Sequence, residues 1–575
     1  MAVDTSGRVS RTQMEALGAA FGVAEVVDPV SLLRALGDAG AATLRRPLKL
    51  ATTSVGILKS TAAITRSVIH TALGQETDAP FEPDSGDRRF QHPAWEHNWL
   101  YHGILQSYLA TAQSILSMVD DASLPAERKR KAKFAAQLLV DALAPTNNPM
   151  TNPKVLEKIL ETGGRSVVKG ARNFLHDLRH NGGYPSQVDA TPFQVGVNTA
   201  ATPGKVVYRN RLIELIQYDP QTATTFEIPL LFCPPWINKY YIMDLAPGKS
   251  LIEWAVQHGH TAFAISYRNP DASMADVEFE DYLFEGPLAA LEVVREITGA
   301  ETVNTASVCL GGTLTAIALA YGAATADNPI NTATLLNTHI DFTQPGVLGV
   351  FTDEKTVDTL AEKMKKRGYL EASDMARTFD LLRANDLVFQ YVVNNWLLGQ
   401  DPPAFDLLAW NGDSTRMPAA MHTSYLRRCY IENQFAKGEF TVGDVTLEPG
   451  AVTQDTFIVA AENDHIVPWQ SGHKTAQLLG GRNRFVLSNA GHIAGIVNPP
   501  NAKARYRTAT RIGDDPAEWR EGATLHEDTW WNPWIRWISR RAGKKTTPPA
   551  TGSRKHPVLC DAPGTYVLKD DGQAG

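Results

Sequence analysis

The chain has 575 residues, of which 43% are hydrophobic and 20% charged, a composition typical of a globular protein with a sizeable buried core. Its net charge of −7 carries no basic signature for nucleic acid, and no apolar run is long enough to span a bilayer. The four cysteines are far apart in the sequence and have no C-x-x-C pairing, which argues against a disulfide framework or a zinc site. The N-terminal residues contain no apolar signal segment, so we expect a cytoplasmic protein without a transmembrane segment.

The N-terminal third is predicted to be helical. Residues 1–28 are polar, and residues 30–73 space apolar side chains among basic and hydroxyl ones. Within them, residues 44–69 combine basic and apolar character, which fits a helix docked on the protein itself or a helix lying on an apolar surface. The first alternative is favoured. Helical patterns continue to about Leu178, so residues 1–180 are interpreted as a helical N-terminal region.

After this region, short apolar strands alternate with helices. "EIPLLFC", "TAFAIS", "VNTASV", "NTATLLN" and "DTFIVAA" predict strands, and the segments between them predict helices. This alternation is typical of a mainly parallel sheet covered on both faces. We assign residues 181–341 and 453–575 to an α/β core. The alternation stops between them, and residues 342–452 are predicted to form an inserted cap or lid. Within the second part, the Pro- and Lys-rich residues 543–557 are predicted to be an exposed linker.

The stretch "TASVCLGGTLTAIALA" (305–320) places a cysteine between a predicted strand and a predicted helix. In α/β-hydrolases the nucleophile occupies such a corner, in a G-x-S-x-G pattern. Here Cys309 stands at the serine position and Ser307 at the first glycine. The N-terminus of the following helix would favour a thiolate. The alternative is that Cys309 is only a small buried apolar residue, as free cysteines often are.

Two later residues complete a possible catalytic triad in the chain order nucleophile, acid, histidine. Asp464 follows one apolar strand, and His492 follows the next. Loops that leave the carboxyl ends of parallel strands lie at one edge of the sheet, where Cys309, Asp464 and His492 could meet. Four neighbouring residues are rival candidates, but they are interpreted as a weaker acid (Asp341), a satisfied strand-end histidine (His339), a structural histidine (His465) and a solvated one (His473).

With these motifs assembled, the sequence resembles polyhydroxyalkanoate synthases, the poly(3-hydroxyalkanoate) polymerases, of the long single-subunit type. The resemblance runs from about Asp87 to Gly543. It rests on long strings such as "DRRFQHPAWEHN", "FCPPWINKYYIMDLAPG", "CLGG", "FDLLAWNGDSTRMP", "ENDHIVPW" and "GHIAGIVNPP". The family's active-site box reads G-x-C-x-G-G, and Ser307 departs from its first glycine.

The resemblance implies an α/β-hydrolase fold with Cys309 as nucleophile, Asp464 as acid and His492 as base. The reaction it implies is polymerisation of (R)-3-hydroxyacyl-CoA thioesters with release of CoA, which makes CoA a product and requires no cofactor. The fold would supply oxyanion donors from the backbone N–H groups of Leu310 and Ile237. The family's polymer forms a cytoplasmic granule, so we expect the granule surface and a second copy of the chain, in a homodimer, as partners.

Two alternatives to polymerisation remain open at this point. An enzyme with the same triad could transfer the acyl group to water, as a thioesterase or polyester depolymerase. A non-catalytic granule-associated protein could have kept the fold, although such a protein would be expected to have lost a triad residue, and none is lost.

Overall fold

The computed structural model describes residues 29–45, 47–75 and 78–568 of the chain. They form two compact units. The first contains the residues up to Asp189 together with Ala376–Pro403, and the second contains Ala190–Met375 and the residues from Ala404 onward. Within the described ranges, no helix is both long enough and apolar enough to cross a membrane. The proposed division at residues 180, 341 and 452 stays a prediction.

The first unit is built from helices. Before residue 190, its described α-helices are α1 (Pro29–Leu44), α2 (Pro47–Ala72), α3 (Ala94–His97), α4 (Trp99–Asp121), α5 (Ala126–Ala142), α6 (Pro153–Glu161) and α7 (Arg165–His180). Helices α1, α4 and α5 pack through small buried side chains, mainly alanines such as Ala35, Ala39 and Ala132, which let the helix backbones approach closely. The helical character expected for residues 30–73 is confirmed for those that are described.

The segment Ala376–Pro403 joins this unit by packing against helix α7. It contains two turns of π-helix, Asn385–Phe389 and Val392–Leu397. The Trp396 indole N–H donates a 2.7 Å hydrogen bond to Asp177. A Cβ atom at Gly170 would lie 1.9 Å from the Trp396 carbonyl oxygen, so only glycine permits this approach. The contact joins two segments that are far apart in the sequence.

The second unit is organised around one eleven-stranded sheet with the order β15-β14-β13-β12-β7-β6-β4-β5-β2-β1-β17. The strands of this unit are β1 (Gly204–Arg209), β2 (Ile213–Tyr218), β3 (Thr225–Phe226), β4 (Leu230–Cys233), β5 (Ala262–Tyr267), β6 (Val303–Val308), β7 (Ile330–Leu336), β8 (Tyr369–Leu370), β9 (Met417–Pro418), β10 (Phe440–Val442), β11 (Val445–Leu447), β12 (Asp455–Ala461), β13 (Asn483–Ser488), β14 (Tyr506–Thr508), β15 (Thr524–His526), β16 (Lys545–Thr546) and β17 (Cys560–Asp561). Neighbouring strands from β5 across to β13 are parallel, and the outer strands on both sides are antiparallel.

Helices cover both faces of this sheet, and its central strands are therefore buried. The remaining α-helices are α8 (Leu251–Gln257), α9 (Phe279–Leu283), α10 (Ala289–Thr298), α11 (Leu310–Thr325), α12 (Glu354–Arg367), α13 (Ala372–Leu382, which spans the division between the units), α14 (Asp406–Asn411), α15 (Ala419–Tyr425), α16 (Trp469–Leu478), α17 (Pro516–Gly522) and α18 (Trp531–Ser539). Helix α11 is buried along most of its length, and α18 contributes Trp534, whose indole N–H donates to Thr334 on β7 at 2.9 Å. The predicted α/β-hydrolase architecture is confirmed.

Residues 543–557 were expected to be an exposed linker; most of them are exposed, but the segment is attached to the second unit and is not a free linker. Residues 545–546 pair with β3, the Gly552 N–H donates to Gln217, and His556 pairs with Glu296. Farther along, strand β17 pairs with β1. The buried Glu214 carboxylate accepts hydrogen bonds from the Thr565 and Tyr566 backbone N–H groups at 2.8 and 2.9 Å. Proline and lysine content alone could not reveal these long-range pairings.

The predicted insertion lies between strands that are neighbours in the sheet, because β7 and β12 pair directly. The part of it that belongs to the second unit contains helices α12, α14 and α15 and the hairpin β10–β11. Helix α15 continues directly into a π-helical turn at Leu426–Ile431. That residues 342–452 act as a cap stays a prediction.

Candidate active site

Cys309 occupies the turn between strand β6 and helix α11, as predicted. Its backbone angles are φ 51° and ψ −118°, a conformation that L-residues rarely adopt. The turn is tight, since a Cβ atom at Gly311 would lie 2.3 Å from the Cys233 carbonyl oxygen, and one at Gly312 would lie 2.0 Å from the Thr338 hydroxyl. The two glycines therefore allow the helix to start directly after the cysteine. A strained backbone of this kind is typical of a nucleophile elbow.

Ser307 fits the last part of β6 because its hydroxyl has a buried partner. Its Oγ lies 2.8 Å from the Thr315 hydroxyl on helix α11, which itself donates to the Gly311 carbonyl oxygen at 2.8 Å. The proton of Thr315 is thus already used, and Ser307 is the donor of the pair. The serine therefore links the strand to the helix directly below Cys309.

Asp464 and His492 form a close, buried pair. The His492 Nδ1 donates to Asp464 Oδ2 at 2.6 Å, and both side chains are almost inaccessible to solvent. The other carboxylate oxygen, Oδ1, accepts from the Ile466 and Val467 backbone N–H groups, each at 2.9 Å. These bonds fix the carboxylate, and the carboxylate in turn leaves His492 Nε2 available to the cysteine.

The pKa of His492 depends on Cys309 as well as on Asp464. Burial disfavours a charged imidazole, but the negative charges of Asp464 and Cys309, with hydrogen bonds to both, outweigh it and raise the pKa of His492 to about 10. The structure thus brings together all three residues of the predicted triad. The arrangement suits a histidine that activates a neighbouring thiol as a nucleophile.

The two predicted oxyanion donors lie on segments that border the nucleophile turn. Leu310 is the first residue of helix α11, and the first N–H groups of a helix have no intrahelical acceptor. Ile237 lies in the loop after β4, where Thr415 accepts from the Asn238 N–H and donates to the Trp236 carbonyl oxygen, both at 2.9 Å. These bonds hold the loop on both sides of Ile237. The donor roles of Leu310 and Ile237 stay predictions.

The rival residues have other environments. Asp341 bonds Asn433 and the Thr343 N–H, and Asp464 rather than His465 holds His492. His473 was interpreted as solvated, which is wrong: it is buried and its Nε2 lies 2.8 Å from the Ile512 carbonyl oxygen. His339 was interpreted as satisfied, which is also wrong, because its buried Nδ1 has no hydrogen-bond partner among the described residues. Burial lowers the pKa of His339 to about 4, which favours the neutral ring.

Aromatic residues beside Cys309 were not singled out from the sequence. Tyr425 and Tyr430 are on helix α15 and the π-helical turn after it, with ring centroids 5.5 Å apart. Burial, and to a smaller extent the charge of Cys309, raise the pKa of both phenols, which places them near the sulfur. The Phe342 ring packs 4.8 Å from Tyr430. The sequence feature that these three residues share is the aromatic richness of residues 342–452, which did not distinguish them from the other aromatic residues there.

The described residues contain no group of three histidine, cysteine or acidic side chains arranged to hold a metal ion.

Comparisons with known proteins place this geometry in a family. A family model described as the poly-beta-hydroxybutyrate polymerase (PhaC) N-terminus matches residues 86–255, and an α/β-hydrolase fold model matches residues 228–499. The second match covers the strands and loops that carry Cys309, Asp464 and His492.

Curated relatives match over most of their length. The chain is 42% identical over 529 residues to the poly(3-hydroxyalkanoate) polymerase of Methylorubrum extorquens, covering 91% of this chain and 87% of that protein. It is 39% identical to poly(3-hydroxyalkanoate) polymerase 1 of Ectopseudomonas oleovorans, covering 84% and 87%. It is 40% identical to the polymerase subunit PhaC of Cupriavidus necator, covering 84% and 83%. The chain therefore belongs to the poly(3-hydroxyalkanoate) polymerase family and is an enzyme of the acyltransferase type.

Proposed function

We propose that this enzyme polymerises (R)-3-hydroxyacyl-CoA thioesters into a polyhydroxyalkanoate and releases CoA, with Cys309 as the covalent acyl carrier. The observation that carries the proposal is the cysteine on the elbow, paired with the buried His492–Asp464 couple. Membership of the polymerase family supports polymerisation over the other reactions that a triad can perform.

Acylation begins with the Cys309 thiolate. The sulfur attacks the thioester carbonyl carbon of the substrate, and a new C–S bond forms. The bond to the CoA sulfur then breaks, and CoA leaves with a proton from His492. One thioester replaces another, so the acyl group on the enzyme remains activated for transfer.

Elongation uses His492 as a base. Once Cys309 is acylated, its negative charge is lost, and one of the two charges that raise the pKa of His492 disappears. The neutral imidazole then accepts the proton of an incoming 3-hydroxyl group. The hydroxyl oxygen attacks the acyl carbon, an ester bond forms, and the bond from that carbon to Cys309 breaks.

The developing oxyanion in both steps requires fixed donors. The Leu310 N–H, at the start of helix α11, and the Ile237 N–H, in the loop after β4, would supply them. In this scheme the chain's own residues supply every catalytic group, so the proposed reaction requires no cofactor.

A polymerase must keep water away from the acyl-enzyme. The buried Phe342 and Tyr425 and the partly accessible Tyr430 form an apolar surround near Cys309, which supports transfer to a hydroxyl over hydrolysis. The part of the predicted cap that belongs to the second unit would enclose the reacting groups.

The proposed partners are the surface of the growing polyester granule, within the cytoplasm, and a second copy of the chain in a homodimer. Helix α2 supports the first, because it buries Ser67 while exposing Ile57 and Leu58, which are 51% and 70% exposed. Replacing both exposed residues by glutamate should reduce cosedimentation with isolated granules and leave CoA release from soluble substrate unchanged. Unchanged sedimentation would remove α2 from granule binding.

The reaction is tested with purified protein and (R)-3-hydroxybutyryl-CoA. Release of CoA together with polymer is expected, whereas CoA with free hydroxy acid would identify a hydrolase, and neither product would contradict the proposed polymerisation. Cys309→Ala should abolish CoA release, and Cys309→Ser should be severely impaired because an alkoxide is harder to form. Cys560→Ala, which changes a partly exposed cysteine in β17, is the matched control and should keep full activity.

A further inference from the structure

We propose that Asn337 and Thr338 are positioning residues that hold the backbones of Cys309 and His492 in the relative placement catalysis requires. This inference rests on the proposed function, because the placement matters only if the two residues react together. Neither Asn337 nor Thr338 was a candidate from the sequence, where Asn337 was simply the end of a predicted strand.

The segment Leu336–Thr338 lies at the carboxyl end of β7, between the strand that leads to Cys309 and the strand that leads to Asp464. On one side, the Cys309 N–H donates to the Leu336 carbonyl oxygen at 2.9 Å, and the Thr338 hydroxyl lies 3.3 Å from the Cys309 carbonyl oxygen. On the other side, the Asn337 N–H donates to the Val459 carbonyl oxygen of β12 at 2.7 Å. The segment thus bonds both neighbouring strands where their catalytic loops begin.

The histidine loop is held by the Asn337 side chain. Its Nδ2 donates to the His492 carbonyl oxygen in a buried hydrogen bond. The other amide atom, Oδ1, has no hydrogen-bond partner among the described residues, although the side chain is almost fully buried. A buried amide with one unused group is unfavourable for stability. Its single bond to the loop of the catalytic base therefore points to a functional role.

The backbone conformation of Asn337 allows its side chain to make this hydrogen bond. Its φ is 45°, in the left-handed region, where asparagine is tolerated better than most residues other than glycine. An extended residue at this point would continue the strand. The left-handed turn instead ends β7 and leaves the amide bonded to the loop that carries His492.

Thr338 contacts the turn that carries Cys309, on the side of β7 that faces β6. Its hydroxyl lies 3.1 Å from the Leu336 carbonyl oxygen and 3.3 Å from that of Cys309. The absence of a side chain at Gly312 gives it room, since a Cβ there would lie 2.0 Å from this hydroxyl. Gly312 thus serves both the tight turn and the contact with Thr338.

Asn337 therefore bonds the carbonyl group of the proposed base, and Thr338 shares its one hydroxyl proton between the carbonyl oxygens of Leu336 and the proposed nucleophile. Displacing a reacting group by about 1 Å can reduce a rate roughly a hundredfold. We expect loss of the Asn337 bond to lower the rate of Cys309 acylation about 10- to 100-fold at saturating substrate, with KM changed by less than about threefold.

The test uses Asn337→Gly, which tolerates the left-handed backbone and removes the side chain, and Asn337→Asp, which keeps the shape and has no donor when the carboxyl group is ionised. Thr338→Val removes the hydroxyl on the other side and should slow acylation several-fold. The matched control is Asn328→Asp, since the Asn328 amide also donates to a backbone carbonyl, that of Leu319, far along helix α11 from Cys309. The control is expected to change stability alone.

Two rates are measured for each full-length variant and normalised to the folded fraction from circular dichroism. The first is the single-turnover release of CoA from (R)-3-hydroxybutyryl-CoA, and the second is the alkylation of Cys309 by iodoacetamide, which needs no substrate. Both rates should fall in the Asn337 variants. Wild-type rates in folded Asn337→Gly and Asn337→Asp would overturn the inference. Failure of the proposed function is distinguished from this result, because it would appear as an inactive wild type whose Cys309 still depends on Asn337 for alkylation.

Discussion

Replacing Asp464 by asparagine tests the acid of the proposed triad without disturbing its surroundings. In the Asp464→Asn variant the side-chain carbonyl oxygen can still accept the two backbone N–H bonds from Ile466 and Val467, so the loop should keep its conformation. The new amide nitrogen, however, is a donor where the carboxylate oxygen was an acceptor. His492 Nδ1 must then accept, and its proton moves to Nε2, which faces Cys309 as a donor and cannot act as a base.

The magnitude follows from the bond that is lost. Losing the charge-assisted hydrogen bond alone would cost about 1.5–3 kcal/mol, a rate loss of roughly 10- to 150-fold, and holding the imidazole in the wrong tautomer can raise the loss to about 10⁴-fold. Elongation should suffer more than acylation. In the acyl-enzyme the Cys309 thiolate charge is absent, and Asp464 is then the remaining one of the two negative charges that support His492.

The assay separates the two steps. A single-turnover burst of CoA reports acylation, and steady-state CoA release together with polymer reports elongation. The matched control is Asp341→Asn, because Asp341 is a nearby buried carboxylate that bonds Asn433 and the Thr343 N–H but not His492. Steady-state turnover within about threefold of wild type in a folded Asp464→Asn protein would refute the reasoning.

Three further predictions concern stability and motion. Burial raises the pKa of Asp244 to about 6, so its stabilising contribution is complete below its unfolded pKa near 4 and is lost progressively as pH rises through 6. In denaturant titrations, the stability change caused by Asp244→Asn should be more favourable at pH 7.5 than at pH 5 by about 1.4 kcal/mol, because pH 5 lies about one unit below the folded pKa. Equal changes at both pH values would contradict this. Gly311→Ala should prevent native folding or abolish activity because its Cβ would overlap two carbonyl oxygens, whereas Gly40→Ala, with no atom within 4 Å of its Cβ, should be stabilising by about 0.5–1 kcal/mol in thermal unfolding; a tolerated Gly311→Ala would contradict the tight turn. A substrate analogue should slow hydrogen exchange in residues 342–452, and equal exchange with and without it would count against a moving cap.

The sequence allowed the elbow and the triad to be predicted because their signals are local. A β-branched strand, a cysteine, two glycines and an apolar helix lie within about twenty residues, and the parallel-sheet rule brings the ends of later strands to the same edge. Asp464 and His492 could be selected on that rule together with the chain order nucleophile, acid, histidine and the family resemblance. To predict that these two side chains meet, it was enough to locate both strand ends correctly.

Other features depend on contacts that no local pattern encodes. The burial of His473 depends on the backbone near Ile512, and the attachment of the C-terminal segment depends on Glu214, far earlier in the chain. The contacts of Asn337 could not be predicted either, because an asparagine after a strand predicts only a turn. Its role becomes visible only when β7 lies between the strands of Cys309 and Asp464.

The attachment of the C-terminal segment also determines what the large sheet presents at its two edges. One edge is the three-residue strand β15 and the other is the two-residue strand β17. Such short edge strands offer few unpaired backbone groups to another molecule, which protects a sheet protein against aggregation by strand pairing. Truncation before Cys560 would uncover the six-residue strand β1 as a new edge. Chains crowded together would then have a template for intermolecular β-pairing, so strand β17 acts as protection against misassembly.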